Sequence, residues 1–272
     1  MSQTNTSTKK VTADTIRAMK KTGNKIAMLT AYDYSFAKLI DSAGIDIILV
    51  GDSASNVMAG NETTLPITLD QMIYHGRSVV KAVHHALVVV DLPFGSYQTN
   101  TELAMTSAIR VMKETGAHAI KLEGGETMVS TIKRLVEAGI PVMGHLGLTP
   151  QSIYQFGTYK TRAADDKEAL QIKKDVLLLQ QAGCFAIVLE KIPSFLAKEL
   201  VEATQIPLIG IGAGHHCDGQ VLVMHDMLGM QSDFSPRFLR RYANLQSIIV
   251  NAVEQYTKDV KNASFPNESE SY

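Results

Sequence analysis

Tryptophan is absent from these 272 residues, aromatic side chains make up only 6%, and cysteine occurs twice. Cys184 and Cys217 do not make a disulfide framework and lack the spacing of a structural zinc site. Cys184 lies in an apolar run, where a buried, inert thiol is expected. Two isolated cysteines fit a reducing cytoplasm. Net charge is nearly missing too: 26 Lys and Arg stand against 27 Asp and Glu, leaving −1. No general field exists to attract nucleic acid or an anionic membrane. The pairs Lys20-Lys21 and Arg240-Arg241 read as solvated surface. No apolar run is long enough to span a bilayer. The opening, MSQTNTSTKKVTADTIRAMKKTG, has no apolar signal core, so export is not expected.

What is present is ordinary for a globular protein: 45% hydrophobic and 19% charged residues, in a chain long enough to bury a large core. Its organisation is a repeat of short apolar run, loop and amphipathic stretch. The apolar runs fall at 25–31, 46–52, 86–91, 117–123, 140–145, 184–190, 206–212 and 221–226. They are short and apolar on both faces, as parallel strands covered by helices must be. Helices are expected at 34–43, 69–84, 101–115, 126–138, 165–182 and 194–204. Gly44, Gly116, Gly139 and Gly183 stand where left-handed helix C-caps belong. Eight such units in roughly 250 residues predict an α/β fold of the (β/α)8 TIM barrel type, with an open doubly wound sheet as the alternative. The expectation is a single domain over 1–272. It has a polar N-terminal segment of about 1–23, extra C-terminal helices over about 235–259, and a mobile tail of about 260–272.

The polar residues fall in a pattern that a core alone does not explain. Asp52, Asp91, Glu123, His145 and Glu190 end the second to sixth apolar runs. In a barrel those ends meet on one rim, where barrel enzymes place their chemistry. Asp52 or Asp91 alone could be a helix N-cap; four acids and a histidine together are harder to explain as caps. Asp52, Asp91 and Glu123 offer hard oxygen ligands suited to Mg²⁺. Lys121, two residues before Glu123, shares its face. It could neutralise a substrate carboxylate or act as a Schiff-base amine. Glu190 follows CFAIVL and is a candidate proton acceptor. GIGAG (210–214) lacks the lysine of a phosphate loop and reads as tight backbone packing. His84-His85 reads as a solvent-facing helix end, and His215 and His216 as a loop.

In order along the chain stand TAYDYSFA (30–37), VGDS (50–53), TLPIT (64–68), DLPFGSY (91–97) and KLEGG (121–125). GHLGLTPQ (144–151), LE (189–190), IPLIGIGAG (206–214) and DGQVLVMHD (218–226) follow. With these motifs the chain closely resembles the ketopantoate hydroxymethyltransferase family. That resemblance implies a cytoplasmic (β/α)8 barrel, a homo-oligomer and commonly a decamer. It also implies transfer of a one-carbon unit from 5,10-methylenetetrahydrofolate to 3-methyl-2-oxobutanoate, giving 2-dehydropantoate for pantothenate synthesis through a Mg²⁺-stabilised enolate. Residue by residue, Asp52, Asp91 and Glu123 match the metal site. Asp52, Ser53, Asp91 and Lys121 match the keto-acid site, and Glu190 matches the proton acceptor. His145 is expected to hydrogen-bond substrate or a metal-bound water. The rival readings are a Mg²⁺-dependent carbon–carbon lyase or mutase on a related barrel, and a metal-dependent keto-acid binding protein.

Overall fold

Several helices start where a short polar side chain can cap them. Thr12, Asp33, Thr68, Asn100 and Asp165 each accept a hydrogen bond from the backbone N–H three residues on, satisfying a donor that the first turn leaves unpaired. The computed structural model describes residues 10–231 and 235–272. In chain order it runs α1 (Ala13–Thr22), β1 (Ile26–Thr30), α2 (Tyr34–Ser42), β2 (Ile47–Val50), α3 (Ala54–Val57) and α4 (Leu69–Val80). Next come β3 (Leu87–Asp91), α5 (Thr101–Thr115), β4 (Ala119–Glu123), α6 (Val129–Glu137), β5 (Val142–Gly147), α7 (Ile153–Phe156) and α8 (Asp166–Gln181). The series ends with β6 (Ala186–Glu190), α9 (Ser194–Ala203), β7 (Leu208–Ile211), β8 (Gly219–Leu222), α10 (Met224–Met227) and α11 (Leu245–Lys261).

The eight strands pair in order, all parallel, and close when β1 pairs with β8. The expected barrel is therefore present, and the open-sheet alternative is excluded. Gly44, Gly116, Gly139 and Gly183 all have left-handed φ. Two expectations need correction. The eighth strand lies at 219–222, earlier than 221–226, and residues 224–227 are helical. An apolar run such as VLVM does not distinguish a strand from a buried helical turn. The opening segment is also more than a polar leader: its first nine residues lie outside the described residues, but 13–22 form α1. Ile16 on α1, and Val11 just before it, are buried in the main core.

That core is the barrel interior. Alternate residues from all eight strands make it: Ile26 and Met28, Ile47 and Leu49, Leu87 and Val89, Ala119, Met143, Ala186 and Val188, Ile209 and Val221. Val11, just before α1, and Ile16, on it, join them, and the Val11 N–H donates to the carbonyl of His85, ahead of β3, at 2.8 Å. Lys20 on α1 ties the helix down. Its Nζ lies 2.9 Å from Asp218 Oδ2 and donates to the Val201 carbonyl at 3.1 Å. The described residues form two compact units, 1–222 with the whole barrel and 223–272. In the second unit α11 has no buried residue, and the chain ends in a short turn capped by Asn267. Among the described residues no helix is long and apolar enough to cross a membrane.

Candidate active site

The inward rows of the strands carry on past the apolar core and change character. On β3 the row Leu87, Val89 continues to Asp91; on β4, Ala119 continues to Lys121 and Glu123. Met143 is followed by His145 on β5, and Val188 by Glu190 on β6. Register then sets neighbours side by side: Asp91 opposite Lys121, Glu123 opposite His145, and Gly147 opposite Glu190. The strand alternation that buries the core therefore also aims these side chains toward one another. Asp52, Asp91, Lys121, Glu123 and His145 are all buried, at 6% exposure or less.

Their contacts are close. Lys121 Nζ lies 2.6 Å from Asp91 Oδ1 and 3.4 Å from His145 Nδ1. His145 Nδ1 lies 3.2 Å from Glu123 Oε1, and its Nε2 lies 3.4 Å from Glu190 Oε2. The Asp52 backbone N–H donates to Asp91 Oδ2 at 3.1 Å. Ser53 Oγ and the Tyr32 hydroxyl share a hydrogen bond of 2.8 Å, while the Tyr32 carbonyl contacts His75 Nδ1 at 2.7 Å. The structure thus links Asp52, Asp91, Lys121, Glu123, His145 and Glu190 through successive contacts, with Ser53 next to Asp52 in the chain. Glu190 is the most open of the charged group, with its side chain 16% exposed.

The chain leaves β4 through Gly124 and Gly125 for a local reason. Gly124 takes a left-handed φ of +121°, and a Cβ on Gly125 would sit 2.2 Å from the Asp175 carboxylate. Asp175, on α8, accepts the Glu126 backbone N–H at 2.9 Å. The chain can turn off the barrel only where no side chain intrudes.

Electrostatically the pocket is strained. Burial, then the neighbouring Asp91 and Glu123, push the Asp52 carboxyl up to about 8. Burial also raises Asp91, against the opposing pull of Lys121. For Lys121 burial acts downward, but Asp91, Glu123 and Asp52 together raise it above the usual lysine value. Burial and Lys121 pull His145 down, and its contacts with Glu123 and Glu190 outweigh them to hold it at about 9. Asp91 Oδ1 and Glu123 Oε1 are buried in ionic contact but without an aligned hydrogen-bond donor. Three crowded carboxylates with two such oxygens suit a hard divalent cation. The residues fit that group in chemistry, although among the described residues no three Asp, Glu, His or Cys side chains are already drawn together as a ligand set.

Sequence reasoning missed Gln151, Tyr97 and Tyr32. Gln151, at the end of the GHLGLTPQ stretch, is 6% exposed and hydrogen-bonds to both Asp52 and Glu123. None of the three is charged, so none marks a strand end as the acids do. The one available signal was their place inside the motifs TAYD, DLPFGSY and GHLGLTPQ.

A family model described as ketopantoate hydroxymethyltransferase matches residues 10–268. Relatives named 3-methyl-2-oxobutanoate hydroxymethyltransferase include those of Parabacteroides distasonis and Cytophaga hutchinsonii. The first is 65% identical over 264 residues, covering 97% of both chains. The second is 61% identical over 272 residues, covering all of both. Among solved structures, phosphonopyruvate hydrolase in complex with oxalate and Mg²⁺ aligns with a TM-score of 0.62 at 12% identity, covering 96% of this chain and 93% of that one. A 2,3-dimethylmalate lyase aligns with a TM-score of 0.58 at 14% identity, covering 96% and 91%. At such identities these structures speak for the barrel fold alone.

Proposed function

The chain belongs to the ketopantoate hydroxymethyltransferase family, and from that premise we propose that its barrel rim transfers a hydroxymethyl group from 5,10-methylenetetrahydrofolate to 3-methyl-2-oxobutanoate. The product is 2-dehydropantoate, on the route to pantothenate. The observation that carries this reading is the buried constellation of Asp52, Asp91, Lys121, Glu123 and His145 with the more open Glu190 at its edge.

Asp52, Asp91 and Glu123 would hold Mg²⁺. When bound, that cation supplies Lewis acidity, drawing charge from the keto acid's oxygens. Lys121, kept protonated by three carboxylates, donates hydrogen bonds to the substrate's carboxylate. A protonated amine is a poor nucleophile, so the electrostatic role is favoured over a Schiff base. Ser53, fixed by Tyr32, offers a hydroxyl to the same substrate. Glu190 takes the proton from C3, breaking the C3–H bond. The electron pair left at C3 attacks the methylene carbon of the donor, forming the new carbon–carbon bond. Both bonds from the one-carbon unit to the folate nitrogens break, water supplies the hydroxyl group, and the nitrogens take up the water's remaining proton and the one held by Glu190. His145, between Glu123 and Glu190, orients both carboxylates. We place the reaction in the cytoplasm and in a homo-oligomer, as the family resemblance implies.

The test is product analysis. With keto acid, Mg²⁺ and methylenetetrahydrofolate together, mass spectrometry should find 2-dehydropantoate. Leaving out the folate should stop its formation. Cleavage of the keto acid without folate would instead identify a lyase.

A further inference from the structure

Gln151 stands just after β5, in a turn that begins at Pro150, yet it reaches groups at the ends of three other strands. Its side-chain Nε2 donates to Asp52 Oδ2 and to the Leu92 carbonyl, both at 2.9 Å. Its backbone N–H donates to Glu123 Oε2 at 3.0 Å. On the other end of the amide, Oε1 accepts from the Tyr97 hydroxyl at 2.7 Å and from Gln98 Nε2 at 2.9 Å. Both protons and both lone pairs of the amide are used, which is the full capacity of the group.

The orientation of that amide is determined from outside. Gln98 Oε1 accepts the Gly95 backbone N–H at 2.8 Å, so its Nε2 must face Gln151. The Tyr97 hydroxyl accepts the Glu123 backbone N–H at 3.1 Å, and of the two acceptors within reach of its proton, Gln151 Oε1 at 2.7 Å is closer than the Glu123 carbonyl at 3.3 Å. A flipped amide would set its NH₂ against two donors and its oxygen against a carboxylate. One oxygen each of Asp52 and Glu123 is thereby occupied. Glu123 Oε1, the other oxygen of that carboxylate, lies 3.2 Å from His145 Nδ1 but has no aligned hydrogen-bond donor.

We infer that Gln151, oriented by Tyr97, is the positioning residue that holds the Asp52 and Glu123 carboxylates from one side and leaves their other oxygens for the substrate and its cation. This rests on the functional reading above. Outer-shell partners of this kind typically influence metal affinity or activity by about 10–100-fold. The test uses full-length protein carrying Gln151→Met, Tyr97→Phe, or both. Mg²⁺ affinity is measured by calorimetry with the cation alone, kcat and KM by product formation, and folding by thermal melting. Gln151→Met should lower kcat about 10–100-fold and weaken Mg²⁺ binding, with KM for the keto acid changed far less. Because Tyr97 acts mainly by orienting Gln151, most of the loss caused by Tyr97→Phe should vanish in the Gln151→Met background, so that the two losses do not multiply.

Unchanged kcat in a folded Gln151→Met protein, or losses that multiply in the double variant, overturns the inference. So does a variant that melts at a lower temperature with kcat intact. If Gln151→Met does not fold, Tyr97→Phe decides alone: reduced kcat at an unaltered melting temperature supports the inference, and unaltered kcat overturns it. A wild type that binds no Mg²⁺ and makes no product overturns the functional reading and this inference together. An active wild type beside unaffected variants overturns the inference alone.

Discussion

Val89 and Asp91 are two residues apart on β3, on the same inward row, and equally hidden from water, at 0% and 2% exposure. They belong to opposite ends of the barrel interior. Around Val89 the rows are apolar and joined by Ile16 of α1; around Asp91 they are acidic, with Lys121 and His145 among them. Burial stabilises at the first end, by roughly 1.5–3 kcal/mol for a valine side chain. At the second it is unfavourable, because charges removed from water need partners to offset the loss. Two adjoining layers of one barrel therefore do separate work. One holds the fold together, and the other keeps charged groups crowded away from water, where the function proposed above places the substrate and its cation.

The sharpest way to break this division is at Glu190. Glu190→Gln keeps shape and removes the base, so exchange of the substrate's C3 hydrogen with D₂O should fall by about 10²–10⁴-fold while the melting temperature hardly moves. Equal exchange rates in the two proteins would pass the role of base to another group. Next come paired changes at the two ends. Asp52→Asn should abolish most turnover and leave stability equal or higher, since burial, Asp91 and Glu123 all disfavour the charged form of that carboxyl. Ile47→Ala, at the apolar end, should cost about 2–5 kcal/mol in denaturant unfolding and leave kcat near wild type. If each variant showed the other's phenotype, the separation of roles would be wrong.

The smallest effect expected lies at the quiet end, at His118 just before β4. Its Nδ1 accepts the Val88 backbone N–H at 2.9 Å, and burial, helped by Lys10, lowers it to about 4. The folded state thus prefers the neutral ring. Its contribution to stability is present above the ordinary histidine value of 6.5 and is lost as pH falls from there towards about 4. Comparing urea midpoints of wild type and His118→Asn across that range should show the wild type losing more. Parallel curves would remove His118 from the acid response.

Much of this was legible in the sequence because hydrophobic period and charge placement are local signals. Helix 101–115 stands where its pattern put it, and the acids at strand ends point toward one another. The misses share a cause. Gln151, Tyr97 and Tyr32 act through hydrogen bonds between distant segments, and a neutral polar residue carries no sign of its partner. α1 was hidden by its polar face, since only a narrow stripe including Ile16 is buried. The eighth strand slipped because its run of apolar residues continues into α10.

The bond from Lys20 to Asp218 spans 198 residues, and beside it β1 pairs with β8 to complete the ring. That seam is the most distant pairing in the barrel. The charged rim, by contrast, comes from β2 to β6, where each strand pairs with its successor along the chain. Contacts between chain neighbours form with little loss of loop entropy, whereas distant ones wait on the rest. By that reasoning the arc from β2 to β6, where the proposed chemistry lies, is expected to assemble before the ring closes. A chain stalled before its last strand would hold the charged side chains in sequence but not yet within a closed ring.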